Sequence, residues 1–218
     1  MTTLKARELL KLATKLRKEN KIEKAIKILE QAYSVGEFGA ESGSGYYFDV
    51  ESNNYYTTDD LVRKSKYLQL VGKIEESLSF LNQIILETNK RAKNSIWEIY
   101  SLSSLHNHRS IILKKEKRYN EAFIDKIKYY CLDGVASVLQ MGIEKKDKHI
   151  SEKMKKALIL SVRQKTNNKF IFEFIENNSK KVNLKYDKKQ LAGFIWRTIL
   201  ADPENIIIGI DNLLQSND

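Results

Sequence analysis

Apolar residues along this chain recur three and four positions apart, the spacing that lines one face of an α-helix. Leu9, Leu12, Ala13 and Leu16 predict a first helix over about Leu4 to Lys18, and Ile22, Ala25, Ile26, Leu29 and Ala32 a second from Ile22 to Tyr33. Gly36, Gly39, Gly43 and Gly45 then break the pattern, which makes 34–57 the one long loop. It carries Tyr46, Tyr47, Phe48, Tyr55 and Tyr56 among acids, and is expected to lie back as a lid, pair as a short hairpin, or pin its aromatics to the core. Thr57-Thr58-Asp59-Asp60 opens a third helix to Leu70, and a fourth runs from Ile74 to about Lys90. Ser95 and Glu98 have capping-box spacing ahead of Ile96, Ile99, Leu102, Leu105 and Ile112; a partner helix starts near Tyr119 and reaches about Gln140. Past Gly142, a basic helix over about Ser151 to Arg163 is predicted to turn Met154, Leu158 and Ile159 inward. The run from Phe170 to Ile175 fits helix or strand, and its helical surroundings favour helix. Asp187 with Gln190 caps a further helix through Leu191, Phe194, Ile195 and Ile199, and Asp202-Pro203 starts the last one.

Three of the predicted turns share a phrase. It reads Asn20-Lys21-Ile22-Glu23-Lys24-Ala25, Gly72-Lys73-Ile74-Glu75-Glu76-Ser77 and Lys117-Arg118-Tyr119-Asn120-Glu121-Ala122. A turn residue, a large residue and a small one in this order mark the corner of a helix pair, with the small side chain permitting close approach. The prediction is an all-α protein: an irregular array of helix-turn-helix pairs over 1–142, with an aromatic and acidic insertion at 34–57, followed by a basic helical region over 143–218 that packs on the array. Stacked pairs leave a grooved surface that suits recognition of another molecule.

Charge sharpens that picture. The net charge of +10 is unevenly spread: residues 36–62 hold six acids and no Lys or Arg, while residues 1–35 hold nine basic and four acidic side chains. Such helices attract acidic peptides, nucleic acid or anionic surfaces, although scattered lysines also serve simply as a solvated face. The single cysteine, Cys131, excludes an intrachain disulfide, and it reads as a packed small residue. The N-terminal stretch lacks the apolar core of a secretion signal and no window spans a bilayer, so a cytoplasmic location away from membranes is expected.

The first pair resembles the tetratricopeptide repeat of about 34 residues through Leu9, Leu12, Ala13, Leu16, Ile22, Ala25, Leu29 and Ala32. Leu61, Leu68, Gly72, Ile74, Ser77, Leu81 and Ile84 carry the second match, and Leu113, Tyr119, Ala122 and Tyr129 the third. The phrase from Tyr67 to Glu76 is also similar to one in uncharacterised bacterial tetratricopeptide-like proteins. Ala25, Ser77 and Ala122 are 52 and 45 residues apart, so the array is irregular. The resemblance covers about 4–140 and implies a protein-binding scaffold without chemistry. It places Arg7, Leu10, Lys11, Thr14, Arg17 and Lys18 in a concave groove, joined by Lys66 and Gln69 and by Asn107, His108, Lys114 and Lys115. That lining suits an acidic peptide, a carboxylate terminus or phosphates. Leu10 stands where the family's chaperone clamp has a lysine, which disfavours chaperone binding.

Catalytic patterns are missing. No P-loop, dinucleotide glycine pattern or Ser-His-Asp order is visible, and Asp59-Asp60 and Glu75-Glu76 read as helix starts. His106 and His108 project about 200° apart on a helix, and with His149 remote no metal or other cofactor is expected. The expected function is a noncatalytic adaptor that captures a protein or acidic peptide in its basic groove. The alternative is RNA or DNA binding through Lys145, Lys146, Lys148, Lys153, Lys155, Lys156 and Arg163, with Phe170, Tyr186 or Trp196 for stacking.

Overall fold

The computed structural model describes residues 2–35, 37–41, 55–91, 96–146, 149–184 and 187–201. Within them the chain forms helices α1 (Thr2–Lys18) and α2 (Ile22–Val35), then strands β1 (Glu37–Glu41) and β2 (Tyr55–Thr57), then helices α3 (Thr58–Leu70) and α4 (Ile74–Arg91). Helices α5 (Ile96–Lys115), α6 (Tyr119–Glu144), α7 (Glu152–Thr166), α8 (Asn168–Asn178) and α9 (Lys188–Ala201) follow. The helices pack mainly on their sequence neighbours, as an array of helix pairs requires.

The three shared turns repeat the same left-handed cap. Asn20, Gly72 and Lys117 take positive φ of 59°, 75° and 61°. In each copy the next residue's N–H reaches back five positions, from Lys21 to Leu16 O, Lys73 to Leu68 O and Arg118 to Leu113 O, at 2.9 Å every time. This left-handed cap satisfies carbonyls that the ending helix leaves open. The same residue's carbonyl then accepts the N–H of the small residue, Ala25, Ser77 or Ala122, and so begins the next helix. Ala25 and Ser77 are fully buried and Ala122 is 7% exposed. At the second corner the small residues do more than leave room: Ser65 and Ser77 hydroxyls are 2.7 Å apart, and Ser77 also donates to Ser65 O at 3.1 Å.

The chain divides into two compact units, Met1–Ser101 and Leu102–Asp218. Position 142, where the array was expected to give way to the C-terminal region, lies within α6, which packs on α7 and α9. In unit 1 the core is built from Leu10, Ala13, Leu29, Ala32, Val62, Leu68, Leu81 and Ile84. Burying each large aliphatic side chain is worth about 1.5–3 kcal/mol. Tyr33 stacks on Phe80 with ring centres 5.7 Å apart and donates its hydroxyl to Asp60 O, tying α2 to the start of α3. The phase of α1 departs from expectation: Leu12 is 42% exposed, while Leu10, expected in the groove, is buried at 7%. Both leucines fit a helical stripe, and the contact with α2 selects the face through Leu10 and Ala13.

A hairpin, one of three arrangements expected for 34–57, is not what its described ends form. β1 and β2 pair in parallel, with Glu37 opposite Tyr55 and Glu41 opposite Thr57, and a parallel pair needs a long crossover where a hairpin needs only a tight turn. At five and three residues the strands are a minor addition to an otherwise helical fold. Tyr46, Tyr47 and Phe48 lie outside the described residues, as do Ser95, Tyr186 and the Asp202-Pro203 helix start.

In unit 2, Cys131, Leu132, Val135, Ala136, Ile171, Ile175, Leu191, Ala192, Ile195 and Ile199 form the core. A Cβ on Gly134 would sit 3.2 Å from Ile199 Cδ1, so this glycine lets α9 approach α6. Ser151 caps α7 by accepting the Met154 N–H, Asn167 caps α8, and Asp187 Oδ2 accepts the Gln190 N–H at 3.2 Å ahead of α9. The run 170–175 is helical, within α8. Met154 is corrected from inward to 48% exposed: α7 buries Val162 and half-buries Leu158 and Ile159 instead.

Candidate binding surfaces

Helix α1 contains six cations and a single carboxylate, Glu8. Arg7, Lys11, Lys15 and Lys18 are spaced by four, four and three residues and therefore share one face. All four are exposed, and none has an ion-pair partner among the described residues. Arg17 is exposed on another face of the helix. Thr14, at the edge of the stripe, is spent structurally: its hydroxyl donates to Leu10 O at 2.9 Å and accepts from Arg63 Nη1 at 3.2 Å. Arg63 also reaches Leu10 O at 3.3 Å and pairs with Asp60 Oδ1 at 2.6 Å. One guanidinium thus fixes α3 beside α1, using the planar fork that lysine lacks. Of the groove residues expected from α3, Lys66 is exposed and 3.9 Å from Asp59, while Gln69 turns back to donate to Ser65 O at 3.2 Å.

In unit 2, Lys114 and Lys115 are exposed in the last turn of α5, and His108 is half-buried. Asn107 Oδ1 accepts a 2.6 Å hydrogen bond from Lys126 Nζ, which lies 4.7 Å from the centre of the Tyr129 ring. Partial burial, with the charge of Lys114 added, holds the Lys126 ammonium pKa below the ordinary lysine value.

Beside it is a charged cluster that closes the α5–α6 pair. Asp125 is fully buried. It accepts from Arg109 Nε and Nη2 at 2.6 Å each and stands 2.8 Å from His106 Nδ1. Burial pushes the Asp125 pKa up, but the His106 and Arg109 hydrogen bonds and charges outweigh it and leave the pKa lowered. Burial dominates at His106, whose pKa falls despite the Asp125 carboxylate. His106 is thereby committed to the core, while His149 is exposed between α6 and α7.

The pattern did not single out Asp125 or Lys126, because charges inside a helix read as solvated. A signal exists nonetheless: they follow Ala122 by three and four residues, the positions that share its face toward the partner helix.

The lysines of the second expected patch divide. Lys153, Lys156 and Arg163 are exposed on one face of α7 together with Leu160, which is 58% exposed. Lys155 pairs with Glu152 at 3.1 Å. Lys145 and Lys146 are exposed just beyond α6, and Lys148 lies outside the described residues. Phe170 and Trp196 are 41% and 40% exposed.

A polar concavity of about 360 Å³ at the start of α6 is lined by Lys117, Arg118, Tyr119, Asn120, Glu121 and Lys181. Two of its cations are engaged internally, Arg118 in a fork with Glu121 and Lys181 with the Tyr119 hydroxyl at 3.3 Å.

Among the described residues, no helix is long and apolar enough to cross a membrane. No protein-family model, curated protein or solved structure matches the chain.

Proposed function

We propose that the chain is a noncatalytic, tetratricopeptide-like binding module whose unit 1 captures an acidic polypeptide segment along α1. The observation that carries this reading is the stripe of Arg7, Lys11, Lys15 and Lys18, exposed and without ion-pair partners among the described residues on a helix that Arg63 anchors. Cations in a last turn also complement the helix dipole, which accounts for Lys15 and Lys18. Arg7 and Lys11 lie outside that turn, so the dipole does not explain them. Single exposed ion pairs are worth about 0–1 kcal/mol, so the stripe acts collectively and its affinity is sensitive to salt.

Fluorescence anisotropy with a labelled oligoglutamate peptide tests this. Lys11→Glu combined with Lys18→Glu is expected to weaken binding at least about tenfold, or ~1.4 kcal/mol, and oligolysine is expected not to bind. Failure of the unaltered chain to bind, or indifference to the double change, overturns the reading.

The aligned Lys153, Lys156 and Arg163 favour a second reading, in which α7 contacts nucleic-acid phosphates. Lysines outnumber arginines there, so such contact is sequence-independent.

A further inference from the structure

We infer that Lys126, Asn107 and Lys114 form a carboxylate-binding subsite in unit 2, one that takes a Glu or Asp side chain of an acidic segment. This inference rests on the reading that the chain captures an acidic segment, and adds to it a place where one acid is held.

Lys126 is half-buried on the face of α6 that meets α5, and its one close polar partner is Asn107 Oδ1 at 2.6 Å. No carboxylate pairs with it among the described residues. The adjacent acid, Asp125, is committed to His106 and Arg109. Lys114 lies seven residues beyond Asn107 on α5, hence on the same face, and its charge bears unfavourably on Lys126. Lys126, partly desolvated and under the charge of Lys114, thus has no carboxylate partner among the described residues.

The hydrogen-bond inventory identifies what is missing. An ammonium is a donor only, so Asn107 must turn its oxygen toward Lys126, leaving the amide NH2 as a further donor. Lys126 has three N–H groups and uses one on Asn107, while its positive charge also rests on the Tyr129 ring. The site therefore presents ammonium and amide donors side by side, which matches the two oxygens of one carboxylate. An anion there would also remove the penalty that burial and Lys114 impose. Binding must then raise the Lys126 pKa, because whatever favours the charged form does so. The groups that bear on it are Lys114 and Asn107 from α5 and Tyr129 from α6.

The test uses the full chain with oligoglutamate, together with a mixed-sequence DNA duplex. Lys126→Met keeps the stem and removes the charge; it is expected to lower peptide affinity about fivefold to tenfold, with Lys169→Met as the exposed control without effect. NMR titration of the Lys126 side chain in the unaltered chain supplies a readout that needs no variant. Its midpoint is expected to move upward on addition of oligoglutamate. Peptide binding that depends on Lys11 and Lys18 but leaves the Lys126 midpoint in place sinks the subsite and spares the proposed function. Absence of peptide binding to the unaltered chain sinks both. A midpoint moved by the duplex and not by the peptide also overturns the carboxylate assignment.

Discussion

Asp125 shows how much one residue can hold. A buried carboxylate without partners would cost several kcal/mol, and here His106 and Arg109 supply three hydrogen bonds to it. Removing one partner leaves the charge stranded, so Arg109→Leu is expected to destabilise the protein by about 3–5 kcal/mol. Arg109→Leu with Asp125→Leu should cost less than the single change, since the double variant buries no unpaired charge. The same cluster sets the response to acid. His106 has a lowered pKa, so as pH drops below its ordinary value of 6.5 the unfolded chain takes up a proton more readily than the fold does. Stability then falls. Asp125, also lowered, adds a second loss below its ordinary value of 3.8, as pH falls through its folded pKa. Urea midpoints measured between pH 7 and pH 5 should decline in the unaltered chain and stay nearly flat in His106→Gln, which keeps a polar group near Asp125 without titrating. An unchanged slope in that variant would show that His106 is not the group responsible.

At the scale of elements, the corners of the three helix pairs were legible because turn chemistry is local. Each copy of the phrase carries its left-handed residue, its back-bonded N–H and its small helix-opening residue within six positions, so a short stretch sets the geometry. The cap at Asp187 was readable for the same reason. The phase of α1 was less legible, because Leu10 and Leu12 both suit an apolar stripe and only contact with α2 distinguishes them. The β1–β2 pair was hidden further, since parallel pairing joins segments that nothing local brings together. In the candidate sites, the tetratricopeptide resemblance pointed to Arg7, Lys11 and Lys18 on α1 but also to Arg17 and not to Lys15, whereas Lys126 required knowing which face of α6 meets α5.

The corners themselves are open to test. A non-glycine residue with left-handed φ is strained by about 1–2 kcal/mol, and Lys117 pays this at 61°. Lys117→Gly is therefore expected to stabilise by about 0.5–1 kcal/mol, after the entropy that glycine brings to the unfolded chain is subtracted. Gly72→Ala should destabilise by about 1 kcal/mol on conformation alone, because a Cβ there meets nothing within 4 Å. Chemical denaturation of the two variants checks both signs, and a stabilised Gly72→Ala would contradict the shared geometry.

For the molecule as a whole, charge distribution decides between a peptide partner and a nucleic-acid partner. The chain carries +10, yet residues 36–62 hold six acids and no Lys or Arg, so attraction of anions belongs to particular helices more than to the total. Each phosphate contact on duplex DNA adds about −0.9 to the slope of log affinity against log salt. If α7 bound DNA through Lys153, Lys156 and Arg163, three contacts would reduce affinity about fortyfold between 50 and 200 mM salt. Lys153→Glu with Lys156→Glu would then flatten the slope by about 2. The proposed reading expects a different pattern. Oligoglutamate binding should weaken with salt, because the stripe on α1 is exposed and screening reaches it. It should depend on Lys11 and Lys18 and be unchanged by the α7 substitutions. Measuring both ligands against both double variants over the same salt series separates the cases: peptide binding that follows α7 instead of α1 would transfer the function to unit 2, because the cations would then be recognised by their place on α7 and not by the stripe that Arg63 anchors.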